Sequence, residues 1–565
     1  MYMKFIGAVS GSLTGSCTFL YHEESKTNIL VDCGMFQGEI KSDKKNARNF
    51  AFNASKIDVV LLTHAHTDHC GLIPKLYKDG FTGEVITTEA TKKISKLMML
   101  DAGKISRLYE KQHCDKVRFS CIEYAKSKTI ATDLRVTFSR GSHILGASSV
   151  NIAWKQEDIF KNITFSGDVG CNSEQESYLP LLKENHDVYP TTDYLVIEST
   201  YGDRIRGKQY KNEEKRVDYL VDIIGKVILK NKGKLIIPVF SLDRCQSIMF
   251  DMYKAFLKLE ASKYKKYLGE KIAIARKNST KHYYENAVSC KTFSSLIAQV
   301  NQVYAEELSK EKIKKNGEKS FIYLKKSAAE TFKENSLDIE RFFSKGFTND
   351  DGHKFYHWIE PTSKKSKKKE YDYIDDIFIA SSGMGDFGPV KNIILKYIED
   401  KNTTILLTGY APTYTLSGKL KNKEKLIEIN KKQYKVNLNI KDMSAYYSAH
   451  ADQKQLLDFV FTTQEKNKNK RESIVFINHG PTDVAKDTFK NKIIERSKKK
   501  NKKDRVIKMV HIANEDWFDL NTGEFDKNYN HPCFESLTAM IKILIEDVAF
   551  IKNFLIENKI DKKPI

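Results

Sequence analysis

The residues best suited to chemistry lie close together between Thr63 and His69, where the sequence reads THAHTDH. Imidazole nitrogens and carboxylate oxygens are the usual protein ligands of Zn²⁺, Mn²⁺ and Fe. The spacing allows His64 and His66 to serve one metal ion, and Asp68 and His69 to serve a second. The motif therefore predicts a metal centre, and the plain alternative is a histidine-rich surface loop.

Two further candidate ligands lie in glycine-flanked segments. His143 is in the segment GSHILGA, and Asp168 is in FSGDVG. Either residue alone is typical of an ordinary turn, but beside the first motif each becomes a candidate ligand. A carboxylate has two oxygens and can bridge two ions, so Asp168 is the candidate for that position.

Short runs of branched apolar residues come before these groups and predict buried strands. The runs are ILV, VVLL, ITF and YLVI, which begin at residues 29, 59, 163 and 194. The groups close behind them are Asp32, His64, Asp168 and Glu198. Because side chains just past the ends of buried strands often form sites, we expect these four to lie together.

The pattern changes from about residue 206 to alternating strands and helices. A buried strand is predicted from Lys234 to Phe240, and Arg244 to Leu257 has helical spacing. Residues 258–375 are rich in lysine, and two basic runs stand at 364–369 and 498–503. Apolar spacing from Leu537 predicts a helix near the end of the sequence.

The composition narrows the classes of function. The 565 residues include 94 Lys and Arg against 73 Asp and Glu, a net charge of +21. This excess favours a polyanion such as nucleic acid, although solvated surface lysines would give the same count. No apolar run is long enough to span a membrane, and no signal-peptide pattern opens the sequence. Nine cysteines without a C-x-x-C pair indicate reduced thiols and a cytoplasmic location.

The ordered motifs resemble the metallo-β-lactamase fold and, within it, the β-CASP family of nucleases. The motifs of the general fold are VDCGMFQG, THAHTDHCGLIPKL, GSHILGAS and FSGDVG. Those of the narrower family are YLVIESTYGDR, GKLIIPVFSLDRCQ, ASSGMGDFGPV, TGYAPTYTLSGKL, YYSAHADQKQL and FINHGP. The family includes the cleavage and polyadenylation specificity factor endonuclease and the ribonuclease J enzymes.

The resemblance implies an α/β fold. A discontinuous, four-layer αββα metallo-β-lactamase domain would receive an inserted β-CASP α/β domain. The expected boundaries are 1–205 for the first part of the metallo-β-lactamase domain, 206–446 for the β-CASP domain with its Lys-rich insertion, 447–495 for the return segment and 496–565 for a C-terminal extension. A homodimer is compatible with the resemblance, because the C-terminus often mediates dimerisation in the family.

The resemblance also implies two divalent ions per chain, zinc in most members and manganese as the alternative. The implied ligands are His64, His66 and His143 for the first ion, Asp68, His69 and His479 for the second, and Asp168 between them. Asp32 would then orient a ligand histidine, and its plain alternative is a turn-capping residue.

Catalytic roles are implied for Asp68, Glu198 and His450. Asp68 would help to hold the metal that generates the nucleophile, and Glu198 would keep His450 near the scissile phosphate, as in the family. Weaker candidates for contact with substrate phosphates are Ser382, Gly383, Ser448 and Arg244. A glycine-containing turn can present backbone N–H groups to an anion, although a simple turn or a surface helix residue is the plain alternative.

The implied function is a metal-dependent ribonuclease that hydrolyses RNA phosphodiester bonds with a hydroxide activated by two metal ions. It would act as an endonuclease, a 5′-exonuclease or both, in RNA processing or turnover. His479 favours RNA, because DNA-cutting members usually carry an apolar residue at this position. A narrow groove between two domains would suit a single strand. The alternatives are a DNA nuclease or another phosphodiesterase on the same fold, and a non-catalytic RNA-binding scaffold.

Overall fold

A computed structural model describes residues 1–9, 12–38, 41–184, 192–278, 288–313, 317–345, 375–465, 472–499 and 506–534. The basic run at 364–369, most of the run at 498–503 and the helix expected from Leu537 lie outside these ranges. Within them, no helix combines the length and the apolar character needed to cross a bilayer.

The chain begins with a sheet whose first strands are antiparallel and whose later strands are parallel. Its strands are β1 (Tyr2–Gly7), β2 (Cys17–His22), β3 (Thr27–Val31), β4 (Val59–Leu61), β5 (Glu84–Thr87) and β6 (Phe119–Cys121). The connections contain α1 (Ser42–Ala47), a 3₁₀ turn (Ala54–Lys56), α2 (Thr67–Cys70), α3 (Ile73–Lys78), α4 (Glu89–Ser106) and α5 (Lys111–Asp115). Pairing is antiparallel from β1 to β3 and parallel from β3 to β6.

A second sheet packs against the first. Its strands are β7 (Ser127–Ala131), β8 (Leu134–Arg140), β9 (Ser148–Gln156), β10 (Ile159–Phe165) and β11 (Tyr194–Glu198). β7 to β10 form an antiparallel meander, and β11 runs parallel to β10. Phe5 and Val31 of the first sheet share one buried apolar core with Val136 and Phe165 of the second. The hydrophobic effect of this shared core holds the two sheets face to face.

An inserted domain follows, built on a five-stranded sheet. Its elements are a 3₁₀ turn (Lys208–Lys211), α6 (Glu213–Ile224), a π-helical turn (Gly225–Lys230), β12 (Leu235–Pro238), α7 (Arg244–Leu259), α8 (Lys265–Asn278), β13 (Cys290–Phe293), α9 (Ser295–Leu308), β14 (Glu311–Ile313), β15 (Lys319–Phe321), α10 (Lys326–Glu334), α11 (Ile339–Lys345), β16 (Ile377–Ala380), α12 (Gly388–Tyr397), β17 (Thr404–Leu407), α13 (Leu416–Lys421), β18 (Leu426–Ile429), β19 (Lys432–Lys435) and β20 (Asn439–Asp442). The sheet order is β13-β16-β12-β17-β20, and every pair is parallel.

Helices cover both faces of this sheet, as continuous apolar strands require. Residues of α6, α7 and α9 pack on one face, and those of α12 and α13 on the other. The first of these cores also includes Ile144 and Leu145 of the preceding lobe, so the two lobes share buried apolar surface.

The last part of the chain returns to the first two sheets. Its elements are a 3₁₀ turn (Ser444–Tyr446), α14 (Gln453–Glu465), β21 (Ser473–Asn478), α15 (Asp483–Lys498), β22 (Ile507–Ile512), β23 (Phe518–Asp519) and β24 (Glu524–Phe525). β21 pairs with β11, β22 extends the same sheet, and β23 pairs with β1. The segment after residue 496, expected as an extension, thus supplies strands to both sheets.

Helices complete the outer layers of the sandwich. Leu30 and Leu62 on the outer side of the first sheet pack with Ile73 and Leu76 of α3. Residues of β11 and β21 on the outer side of the second sheet pack with α14 and α15. The expected α/β architecture, with four αββα layers and an inserted α/β domain, is confirmed.

Candidate metal centre and catalytic site

The candidate residues lie at the carboxyl ends of strands in both sheets of the sandwich. β3 and β4 are parallel and lead to Asp32 and to the loop that carries His64. β10, β11 and β21 are also parallel, and they lead to Asp168, Glu198 and His479. Because parallel strands end at the same edge, side chains far apart in the sequence meet there.

One group of four side chains converges at this edge: His64, His66, His143 and Asp168. His66 Nδ1 lies 3.2 Å from His64 Nε2 and 2.9 Å from His143 Nε2. Asp168 Oδ2 lies 3.5 Å from His64 Nε2 and 3.4 Å from His143 Nε2. Three ring nitrogens and a carboxylate oxygen around one point are a donor set suited to a divalent cation.

A second group lies beside the first: Asp68, His69 and His479. His69 Nε2 is 3.3 Å from His479 Nε2, and Asp68 Oδ2 is 3.4 Å from the same His479 nitrogen. Asp168 Oδ1 faces this group, 3.4 Å from His69 Nε2. The two oxygens of Asp168 therefore face different groups, as the bridging position requires.

Asp168 Oδ1 provides a test of whether these residues fit a metal. This oxygen is buried and has no hydrogen-bond partner among the described residues. A buried carboxylate oxygen left without a partner is costly, and a cation between the rings and the carboxylate would remove that cost. The donor set and this unsatisfied oxygen both fit a metal centre.

Burial sets the protonation of the first group. It lowers the pKa of His64 and His143 well below the ordinary value and that of His66 to about 4. These rings are therefore neutral near pH 7, which is the form that binds metal. Burial also opposes the charged form of Asp168, but the rings of His479 and His69 outweigh it and hold the carboxyl pKa well below its usual range.

Asp32 lies behind His69, on the side away from the metal groups. Its Oδ2 is 2.7 Å from His69 Nδ1, and its Oδ1 accepts a hydrogen bond from the Thr63 backbone N–H at 2.8 Å. The Thr63 hydroxyl lies 3.0 Å from the same carboxylate. The contact between Asp32 and His69 Nδ1 orients the His69 ring so that its Nε2 faces His479. This geometry supports an orienting role for Asp32 over a simple turn cap.

Glu198 and His450 form a pair at the edge of the metal groups. His450 Nδ1 is 3.0 Å from Glu198 Oε1, and His450 Nε2 lies 4.0 Å from Asp168 Oδ2. Backbone N–H groups of Val169 and Thr200 donate to the two Glu198 oxygens at 2.7 and 3.0 Å. Burial lowers the pKa of His450, but the Glu198 charge outweighs burial and raises that pKa to about 9.

Arg206 is a residue that the sequence did not single out. Its Nη2 donates to the backbone oxygens of Ser448 and His450 at 3.3 and 3.0 Å. Arg206 thus joins the segment by which the chain enters the inserted domain to the segment by which it returns. No local pattern predicts this contact, because its partners are more than 240 positions away in the chain. Thr63 was also missed, although it lies inside the quoted THAHTDH motif.

The four phosphate candidates occupy different environments. Arg244 is buried at the start of α7, where its Nη1 donates to the Thr408 oxygen and its Nε has no partner among the described residues. The Ser382 hydroxyl is buried without a partner among them, and Gly383 lies in the same turn after β16. Ser448 Oγ accepts from the His450 backbone N–H at 3.3 Å. Arg244 and Ser382 thus each keep a buried donor without a partner among the described residues.

Three family models match the chain in succession. The metallo-β-lactamase superfamily matches residues 11–194, the Beta-Casp domain matches 223–420, and the Zn-dependent metallo-hydrolase RNA specificity domain matches 433–503. The third match contains His450 and His479, so all the metal-ligating candidates lie within matched segments.

Individual known proteins are similar to this chain over parts of different length. The transcription termination factor FttA of Methanococcus maripaludis is 26% identical over 478 residues, which cover 81% of this chain and 64% of the relative. Ribonuclease TTHA0252 of Thermus thermophilus is 31% identical over 229 residues, which cover 40% of this chain and 49% of the relative. The matched part is thus less than two thirds of either relative. A solved protein of unknown function from Enterococcus faecalis aligns over 86% of this chain and 95% of its own, with 13% identity and a TM-score of 0.44.

Proposed function

Because the chain belongs to the β-CASP family of the metallo-β-lactamase superfamily, we propose that it is a metal-dependent ribonuclease that hydrolyses phosphodiester bonds in RNA. The observation that carries the proposal is the meeting of seven metal-ligating side chains at one edge of the fold, beside the His450–Glu198 pair. The matched RNA specificity domain and a similar protein named as a ribonuclease support RNA as the substrate.

The two groups of ligands would hold two divalent ions, zinc or manganese, with Asp168 shared between them. When bound, such ions neutralise a phosphodiester and lower the pKa of water towards neutrality. His64, His66 and His143 supply neutral rings to one position, while Asp68, His69 and His479 supply the other. Asp32 and Thr63 keep the His69 ring in the required orientation.

His450 would donate a proton at Nε2 to the leaving 3′-oxygen. Glu198 binds the opposite nitrogen, keeps the ring in place and favours its protonated form. The two backbone N–H groups that bind Glu198 fix the carboxylate in turn. The expected products carry a 5′-phosphate and a 3′-hydroxyl.

Single-stranded RNA is the proposed substrate because it suits a cleft between two lobes. The other candidates are a DNA nuclease or a further phosphodiesterase on the same fold. Purified protein incubated with labelled RNA and DNA strands of matched sequence separates them. We expect RNA to be cut and DNA to remain intact, with Asp68→Ala as the inactive control. Cleavage of DNA with intact RNA would contradict the proposal.

Cleavage mapping distinguishes endonuclease from 5′-exonuclease action. Comparison of 5′-monophosphate and 5′-hydroxyl RNA shows whether the enzyme starts from an end or cuts internally. Either outcome is compatible with the ribonuclease proposal, and each assigns a different place in RNA processing or turnover.

We also propose the domain division expected from the motifs, a homodimer and a cytoplasmic location. The matched segments support a first part up to about 205, an inserted domain and a return segment. Sedimentation of the purified chain tests the homodimer.

A further inference from the structure

Exposed aromatic side chains are concentrated on one edge of the inserted domain. Among the described residues, five large aromatic side chains are exposed: Phe160, Phe240, Phe387, Tyr410 and Tyr414. All but Phe160 belong to the inserted domain, with exposed fractions of 36% for Phe240, 73% for Phe387, 65% for Tyr410 and 51% for Tyr414. We call these four residues the aromatic edge.

The sheet topology explains why these side chains lie near one another. Phe240 follows β12, Phe387 follows β16, and Tyr410 and Tyr414 follow β17. The strands β16, β12 and β17 are adjacent and parallel, so the loops after them emerge at the same edge of the sheet. A Cβ added to Gly383 or Gly409 would lie 2.9 or 3.3 Å from the Phe240 ring, so this ring packs against both neighbouring loops.

One member of the aromatic edge contacts the lobe that carries the candidate metal centre. The Tyr414 hydroxyl donates to the Gly38 oxygen in the other lobe. Gly38 belongs to the loop after β3, in which the Cys33 and Met35 backbone N–H groups donate to the backbone oxygens of His69 and Thr67. Tyr414 of the aromatic edge therefore contacts the loop that packs against the candidate metal ligands.

Basic residues follow Gly38 on the opposite wall. The segment 41–48 reads KSDKKNAR, and Lys41 and Lys44 in it are exposed. Single-stranded nucleic acid is bound by a positive surface that follows the backbone and by aromatic rings on which bases stack. Both features lie here beside the Tyr414–Gly38 contact.

We propose that the aromatic edge is a stacking platform for the bases of single-stranded RNA next to the cleavage site. This inference rests on the proposed ribonuclease function and specifies how the substrate is gripped. Phe387 and Tyr410, the most exposed members, offer ring faces to successive bases. Because every base has a stacking face, the grip is tolerant of sequence.

The test is equilibrium binding of the full chain, in the presence of a chelator so that no strand is cut. Two fluorescent probes of equal length are compared: an oligoribonucleotide of mixed sequence and an abasic ribose-phosphate oligomer. We expect Phe387→Ala and Tyr410→Ala each to weaken binding of the base-containing probe about 5- to 150-fold. Binding of the abasic probe should not change.

Two further variants sharpen the comparison. Tyr410→Phe keeps the ring and should bind RNA like the wild type. Phe160→Ala removes the exposed aromatic side chain that lies outside the edge, where the Arg135 guanidinium lies 4.6 Å from the ring centroid, and it should also bind like the wild type.

The remaining outcomes overturn the platform in different ways. Unchanged RNA affinity in both alanine variants, or an equal loss for the abasic probe, excludes base stacking and leaves the ribonuclease proposal standing. If the wild type binds neither probe at any concentration tested, the platform fails. Cleavage of labelled RNA in the presence of metal then decides the ribonuclease proposal separately.

Discussion

At the scale of single residues, Asp32 would serve the proposed metal centre by holding a candidate ligand, His69, in place. Its carboxylate fixes His69 through Nδ1 and is itself held by Thr63. Its backbone φ of 60° lies in the left-handed region, which non-glycine residues rarely adopt. The sequence predicted a carboxylate at this strand end but left its role open between orienting and capping, because the choice depends on a contact across 37 positions.

We expect Asp32→Asn to lower metal affinity by about 10- to 100-fold, because the amide no longer accepts the His69 proton as strongly. Competition with a chromogenic chelator measures the change. Asp133→Asn, an exposed turn residue with a similar positive φ of 55°, is the matched control. Equal metal affinity in both variants would show that Asp32 does not act through His69.

The His450–Glu198 pair gives a second prediction at this scale. His450→Ala should slow the chemical step by about 10²–10⁴-fold, since a general acid contributes that much. RNA affinity and metal content should change little, because His450 is not among the seven ligand candidates. Single-turnover cleavage with saturating protein measures the step, and a rate reduction explained entirely by weaker RNA binding would argue against proton donation.

At the scale of elements, close packing between loops fixes the positions of the candidate ligands. A Cβ on Gly34 would lie 1.6 Å from the Asp68 backbone oxygen, and one on Gly170 would lie 2.1 Å from the Ser142 oxygen. The loop after β3 and the turn after Asp168 therefore approach the ligand-bearing loops more closely than any side chain permits. Both glycines lie inside quoted motifs, VDCGMFQG and FSGDVG, but their packing was not predicted, since close approach between distant loops leaves no local pattern.

Gly34→Ala should displace the loop that carries Asp68 and His69, and so reduce the metal bound per chain. Metal analysis and thermal unfolding of the variant measure the effect. Gly269→Ala is the control, because this exposed glycine in α8 has no neighbouring atom within 4 Å of a new Cβ. The control should be stabilised by about 0.5–1 kcal/mol. Full metal content in Gly34→Ala would contradict the close-packing account.

The strands that precede the candidate site residues were the easiest elements to predict, and the short strands β23 and β24 were the hardest. The apolar runs ending near Asp32, His64 and Glu198 correspond to β3, β4 and β11, because buried strands have a strong sequence pattern. β23 and β24 have two residues each, too few for any periodicity. The pairing of β23 with β1, and of β24 with β23, could not be predicted for that reason.

The whole molecule carries its net charge of +21 around a centre built from acidic and imidazole groups. The surplus Lys and Arg are thus available to guide a polyanion to the cleft. The two lobes are joined by a shared apolar core. Arg206 adds a hydrogen bond to the backbone oxygen of His450, in the segment that returns from the inserted domain. The order of the domains was predictable from motifs, and the same motifs contain the side chains that converge at the strand ends, whereas the contacts between lobes were not predictable.

Neutralising the basic run at 364–369 should weaken RNA binding and reduce its dependence on salt. The slope of log K against log salt becomes shallower by about 0.7 for each phosphate of a single strand that the protein no longer neutralises. Titrations at several salt concentrations measure the slope. An unchanged affinity and slope would show that this run is compositional background.

The central claim, that the seven-residue cluster is a metal centre that drives RNA cleavage, is tested most directly by metal titration of stripped protein. Wild type and Asp68→Ala are freed of metal, titrated with Zn²⁺ or Mn²⁺, and followed in parallel for bound metal and cleavage of labelled RNA. We predict that the wild type binds two ions and gains activity as they bind, whereas Asp68→Ala loses one position and its activity, with a larger rate loss than His450→Ala. Cleavage by the stripped wild type, or full activity in Asp68→Ala, would contradict the account.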